Sequence, residues 1–212
     1  MKYRTGILIQ LGILLASLAI SAFYNFRLPE HVPTHWNIHN QADQYGSKWQ
    51  MVLLGPGMVL FAIGLTLLLP KISPKNYEID RFNGTFAYAM VLVTSLFLLI
   101  SILFLRAAEG VKIDFIKVMM SVMFMFFALL GNVIGKVRRN FYMGIRTPWT
   151  LASEAVWDAT HRQAGYIWFI GGIFGTALVL LGLPLLWSMA LFMAVVLWPV
   201  VHSYSIYRKL EG

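Results

Sequence analysis

The stretch from Ala164 to Tyr204, AGYIWFIGGIFGTALVLLGLPLLWSMALFMAVVLWPVVHSY, holds 41 residues and no acidic or basic side chain other than His202. About 20 apolar residues cross the hydrocarbon core of a bilayer as a helix. The block is therefore twice too long for one crossing and suits two. Pro184, near its middle, cannot continue a helix from the residues before it, so the block predicts a tight helical hairpin turning near Leu183–Trp187, with spans over 164–183 and 185–204.

Four further apolar segments of span length precede it, at 6–26, 51–69, 86–105 and 115–135. Pro70 and Pro74 close the second. The fold expected is all-α, a polytopic transmembrane bundle of about six spans forming one membrane domain over 1–212. Composition agrees: 58% of residues are hydrophobic and only 12% charged, against roughly 25% charged in a soluble domain. That is too little charge to cover a water-facing surface, so the solvent is membrane lipid. The first apolar segment follows Lys2 and Arg4, as in a signal peptide. It is longer than a typical apolar signal core and lacks a clear small-residue cleavage site, so it is read as a retained span.

The basic residues orient the bundle. Lys2, Arg4, Lys71, Lys75, Arg81, Lys136, Arg138, Arg139, Arg146, Arg162, Arg208 and Lys209 fall on one side, and the other five on the opposite side. Short cytoplasmic loops carry the Lys/Arg excess, so both termini are expected in the cytoplasm. That places residues 27–50 outside as an extracytoplasmic loop and 136–162 inside. Tyr166, Trp168, Trp187, Trp198, Tyr204 and Tyr207 lie near span ends, where interfacial anchors sit. The net charge of +8 fits basic loops against an anionic leaflet. No nucleic-acid module accompanies it, so no direct nucleic-acid partner is expected. With no cysteine in the chain, disulfides and thiolate metal sites are excluded. No acidic side chain sits inside a predicted span, which argues against a proton-coupled transporter.

The polar chemistry is concentrated in two loops. In the outer one, Pro29 and Pro33 favour extended backbone and Gly46 suits a turn. Pro33, His35, Trp36, Asn37, Asp43, Tyr45 and Lys48 are the candidate binding residues. His35, His39 and Asp43 are spaced by four and would share one helix face, with the spacing of zinc or copper ligands. The alternative is a cap pinned to the interface by Trp36, Tyr45 and Trp49. No cofactor is otherwise expected.

In the inner loop, Thr147-Pro148 reads as an N-cap followed by proline at the first helical position. A short interfacial helix would then present Trp157 and His161 four apart on one face and pair Asp158 with Arg162. Glu154 and His161 are two helical turns apart and unsuited to a direct bond, although they could flank one ligand. A membrane enzyme or lipid-handling protein would use Arg146 for phosphate and these two as acid and base. No Gly-x-Ser-x-Gly, His-Glu-x-x-His or P-loop supports catalysis, and no catalytic residue is assigned.

Asn140-Phe-Tyr-Met-Gly-Ile-Arg-Thr-Pro-Trp-Thr-Leu151, with Ser153-Glu154, Trp157, Thr160-His161 and Gly165, closely resembles the hallmark stretch of the SdpI-type immunity protein family. Leu28-Pro-Glu-His-Val-Pro-Thr-His-Trp-Asn37, with Asp43 and Tyr45-Gly-Ser-Lys48, is similar to the small N-terminal domain of unknown function found in that family. The resemblance implies a multi-pass protein of the bacterial cytoplasmic membrane. It implies resistance to a secreted membrane-active peptide toxin met on the outer side, and sequestration of a cytosolic repressor at the membrane. It makes Asn140, Gly144, Arg146, Thr147, Pro148, Trp149, Glu154, Trp157 and His161 the candidate ligand- or partner-binding residues of the inner loop.

Overall fold

The computed structural model describes residues 1–39, 41–75 and 77–212. Their order is α1 (Tyr3–Arg27), β1 (His31–Trp36), β2 (Ala42–Ser47), α2 (Lys48–Ile72), a 3-10 turn (Ile79–Phe82), α3 (Asn83–Ala108), α4 (Phe115–Ile134), α5 (Pro148–Ala152), α6 (Glu154–Leu180) and α7 (Leu185–Leu210). Six of these helices are long and apolar enough to cross a membrane. The chain is thus a polytopic helical bundle.

The helices bury the residues that lipid would tolerate least. On α1 the buried side is Gly6, Gln10, Ser17, Ser21 and Tyr24, while Leu8, Leu15, Leu18, Phe23 and Phe26 face outward. Lipid is as apolar as leucine, so helices in it associate through close packing and interhelical hydrogen bonds. Here Gln10 Nε2 donates to Thr66 Oγ1 at 3.0 Å and Thr94 Oγ1 at 2.9 Å, and Tyr3 donates to the Thr66 carbonyl at 2.7 Å. These bonds join α1, α2 and α3.

The second half is held by shape. On α4 and α6, Gly131 packs on Gly165, Ala128 on Gly172 and Phe124 on Gly175. A Cβ on Gly165 would stand 2.9 Å from the Gly131 carbonyl oxygen, and one on Gly131 would stand 2.6 Å from the Phe169 nitrogen. The two backbones therefore touch where no side chain intervenes. Phe124, in the Met/Phe-rich part of α4, is fully buried. Trp168, read as an interfacial anchor, is buried too, edge-on to Phe127 at 5.1 Å.

Helix ends depart from the apolar stretches for identifiable reasons. Pro70 lies inside α2, not at its end. A proline removes only one backbone bond there, and membrane helices accommodate that loss. The helix stops at Ile72, just before Pro74. α6 starts ten residues ahead of its apolar stretch, because the Ser153 hydroxyl accepts from Val156 N–H and caps it at Glu154. The α6–α7 turn spans 181–184, through Gly182 at φ +99°.

The outer loop is a β-hairpin, so the spacing of four between His35, His39 and Asp43 does not place them on a helix face. His31 pairs with Ser47, Val32 with Gly46, Pro33 with Tyr45, His35 with Gln44 and Trp36 with Ala42, with an irregularity after Pro33. Pro33 disfavours helix, and the buried Val32 anchors the hairpin on Tyr24, Leu28, Met51, Val52 and Leu105. Gly46 is in the strand, where a Cβ would collide with Gln50. The turn is made instead by Asn37, whose Oδ1 accepts from His39 N–H (2.9 Å) and Gln41 N–H (3.1 Å).

Candidate functional site

The loop after α4 is built around four fully buried polar or aromatic side chains: Asn140, Thr150, Trp157 and His161. Asn140 donates to the carbonyls of Arg138 (2.8 Å) and Met143 (3.0 Å) and accepts from the N–H groups of Tyr142 and Met143 at 2.8 and 2.7 Å. One side chain thereby folds residues 138–143. Gly144 follows with φ +117°, a backbone region that excludes most side chains. A Cβ there would collide with His161 Nε2.

Next, Ile145 N–H donates to His161 Nε2 at 2.9 Å, so that nitrogen carries a lone pair. The proton is then on Nδ1, which donates to the Trp157 carbonyl at 2.8 Å. His161 is held neutral with both ring nitrogens engaged, and its ring stacks on Trp157 at 4.0 Å. Trp157 Nε1 donates to the Val137 carbonyl at 2.7 Å.

The Thr147-Pro148 cap forms as read. Thr147 N–H donates to Thr150 Oγ1 and Thr150 N–H donates to Thr147 Oγ1, reciprocal bonds of a capping box. Thr150 Oγ1 also donates toward the Ile145 carbonyl, 2.8 Å away. The resulting helix is only five residues long. Trp157 and His161 belong to the long α6, not to the short helix expected to carry them. Trp149 Nε1 donates to Ser203 Oγ on α7 at 2.8 Å.

Arg146 is exposed and donates to the Phe141 carbonyl. Glu154 is exposed at the first position of α6, 4.0 Å from Arg139. Asp158 pairs with Arg138 at 3.2 Å, across the loop, rather than with Arg162 one turn along. Arg146, Glu154 and His161 therefore do not converge on one ligand, as an acid–base site would require.

At the other end of the bundle, His35 Nδ1 lies 2.5 Å from Asp43 Oδ1, both partly exposed. His39 is on the turn, so the three candidate ligands do not share a helix face; among the described residues no group of three such side chains converges. Trp36 stacks on Phe115 at 5.4 Å, fixing the hairpin to the start of α4. Lys48 binds Glu30 at 2.8 Å and the Asn25 carbonyl at 3.2 Å. Tyr45 and Ile38 are largely exposed, at 67% and 69%.

Residues 136–204 match the SdpI/YfhL protein family. The chain carries an SdpI/YfhL-family segment. Residues 12–60 match a domain of unknown function, DUF1648. The chain is 25% identical over 192 residues to Immunity protein SdpI of Bacillus subtilis (strain 168), covering 87% of each. No solved structure matches. With its six long apolar helices, the chain is a multi-pass membrane protein.

The SdpI/YfhL segment begins at Lys136, two residues past the end of α4 at Ile134, and includes every inner-loop residue described above. The most deeply buried of those that stand out in the sequence (Asn140, Trp157, His161) shape the segment from within. Thr150 and Arg139 matter equally, although Thr150 carries no sign of it in the sequence and Arg139 reads there only as one of several headgroup-facing cations. Thr150 occupies the third helical position, where a capping box usually carries Glu or Gln, so its signature is disguised. Arg139 donates to the Leu151 and Ala152 carbonyls at 3.0 and 3.1 Å and lies over the Tyr77 ring. In the sequence it is one of several arginines, and nothing there marks it as a cap for α5.

Proposed function

We propose that the chain protects its cell from a secreted membrane-active peptide toxin, met at the hairpin end, and reports that encounter to a cytosolic repressor at the basic end. The observation that carries this is the similarity to an immunity protein along 87% of both chains, which takes in the hairpin as well as the inner loop. The charge bias supports an orientation with both termini inside.

A place for the toxin is supported by the hairpin end. Ile38, Lys117, Met120, Leu183 and Leu185 line a cleft of about 290 Å³ between the hairpin tip, α4 and the α6–α7 turn. It mixes apolar groups with one acidic and one basic side chain, Asp114 and Lys117, and exposed Asp43, His35 and Tyr45 lie on the same hairpin. At the basic end, Arg146 is one of several exposed inner-loop groups that a protein partner would meet.

Expression in a toxin-sensitive strain tests the proposal. Survival is expected, with protection lost in Tyr45→Ala/His35→Ala. Arg146→Ala is expected to keep protection and lose repressor recruitment. Unchanged killing by the toxin contradicts the reading. No cofactor enters it; one zinc or copper per chain in elemental analysis would replace it with a metal-dependent one at His35 and Asp43.

A further inference from the structure

Five basic side chains surround the inner loop, and three of them are committed. Arg138 pairs with Asp158, Arg139 caps α5 beside Glu154, and Arg146 is bonded to the Phe141 carbonyl. Lys136 and Arg162 have no ion-pair partner among the described residues and are exposed. They line the same groove of about 410 Å³ between the end of α4 and α6. Its floor is glycine backbone, because a Cβ on Gly135 would stand 3.3 Å from the Arg162 Cα. One turn further into the bundle its wall is Tyr166 and Phe169, exposed at 67% and 43%.

The groove thus changes along its length, from two unneutralised cations at the mouth to aromatic surface beside the spans. We infer that it holds one anionic phospholipid, with the headgroup phosphate between Lys136 and Arg162 and an acyl chain along Tyr166 and Phe169. Charge complementarity selects the occupant. Two cations at a span end, with no anion among the described residues to answer them, face the one layer of the cell that presents phosphate at that depth. Basic pockets between membrane helices bind acidic headgroups in this way. The bordering tyrosine sits where amphipathic rings prefer to lie. The site is separate from the toxin-facing hairpin and does not depend on that reading.

Native mass spectrometry of the protein released from bilayers of equal phosphatidylglycerol and phosphatidylcholine tests it. One phosphatidylglycerol per wild-type chain is expected. Lys136→Gln/Arg162→Gln should weaken its retention roughly thirty-fold, the effect of two basic groups near an anionic headgroup. Arg208→Gln/Lys209→Gln, which removes the same charge from the C-terminal helix end, should retain it, as should Lys136→Arg/Arg162→Lys. If the neutral pair fails to fold, Lys136→Gln alone gives the same test at roughly five-fold. Equal loss in the C-terminal control, or full retention in the neutral variants, overturns the site. Displacement by glycerol phosphate as effective as by whole lipid overturns the lipid as its occupant.

Discussion

The two polar ends of this bundle are made differently. At the basic end, Asn140, Thr150, Trp157 and His161 are fully buried and their polar groups answer backbone donors and acceptors. At the hairpin end, one valine is buried while His35, Asp43 and Tyr45 stand in solvent. A buried polar group left without its partner costs the full desolvation penalty, whereas an exposed ion pair contributes little. The basic end is therefore a fixed frame, and the hairpin a surface whose side chains can change without unfolding it. The residues that look most functional in the sequence of the inner loop are largely the ones that hold it together.

Substitutions should separate the two ends by the size of their effect. Trp157→Ala opens a cavity beneath His161 and orphans the Val137 carbonyl; it should lower stability by about 3–5 kcal/mol, read as a fall in the unfolding midpoint in detergent. Asn140→Ala leaves two N–H groups and two carbonyls unanswered and should cost about 2–3 kcal/mol by the same measurement. Gln10→Leu, which removes two interhelical bonds inside the first three helices, should cost about 1 kcal/mol, since such bonds average well under that each in membranes. Asp43→Asn should shift stability by less than about 1 kcal/mol because the pair with His35 is exposed. A loss at Asp43 as large as that at Asn140 would erase the distinction drawn between the ends.

Much of the bundle is readable from composition because lipid selects for it. Six helices and the Pro184 turn follow from apolar length and one ring that cannot continue a helix. The N-cap at Thr147 follows from local chemistry. What does not follow are interactions made across the chain. The hairpin rests on Val32 meeting residues of three helices, and Pro33 with scattered histidines hides its strand alternation. His161 looks like an acid–base residue until Ile145 N–H, sixteen positions away, occupies its ring nitrogen. Arg139 and Arg138 are indistinguishable as sequence, yet one caps a helix and the other makes an exposed pair.

The division of labour between the ends requires that they face opposite sides of the membrane. The chain has no cysteine, so single cysteines report cleanly. His35→Cys should react with a membrane-impermeant maleimide in intact cells, and Arg146→Cys only after permeabilisation. Labelling of both from the same side would contradict the account.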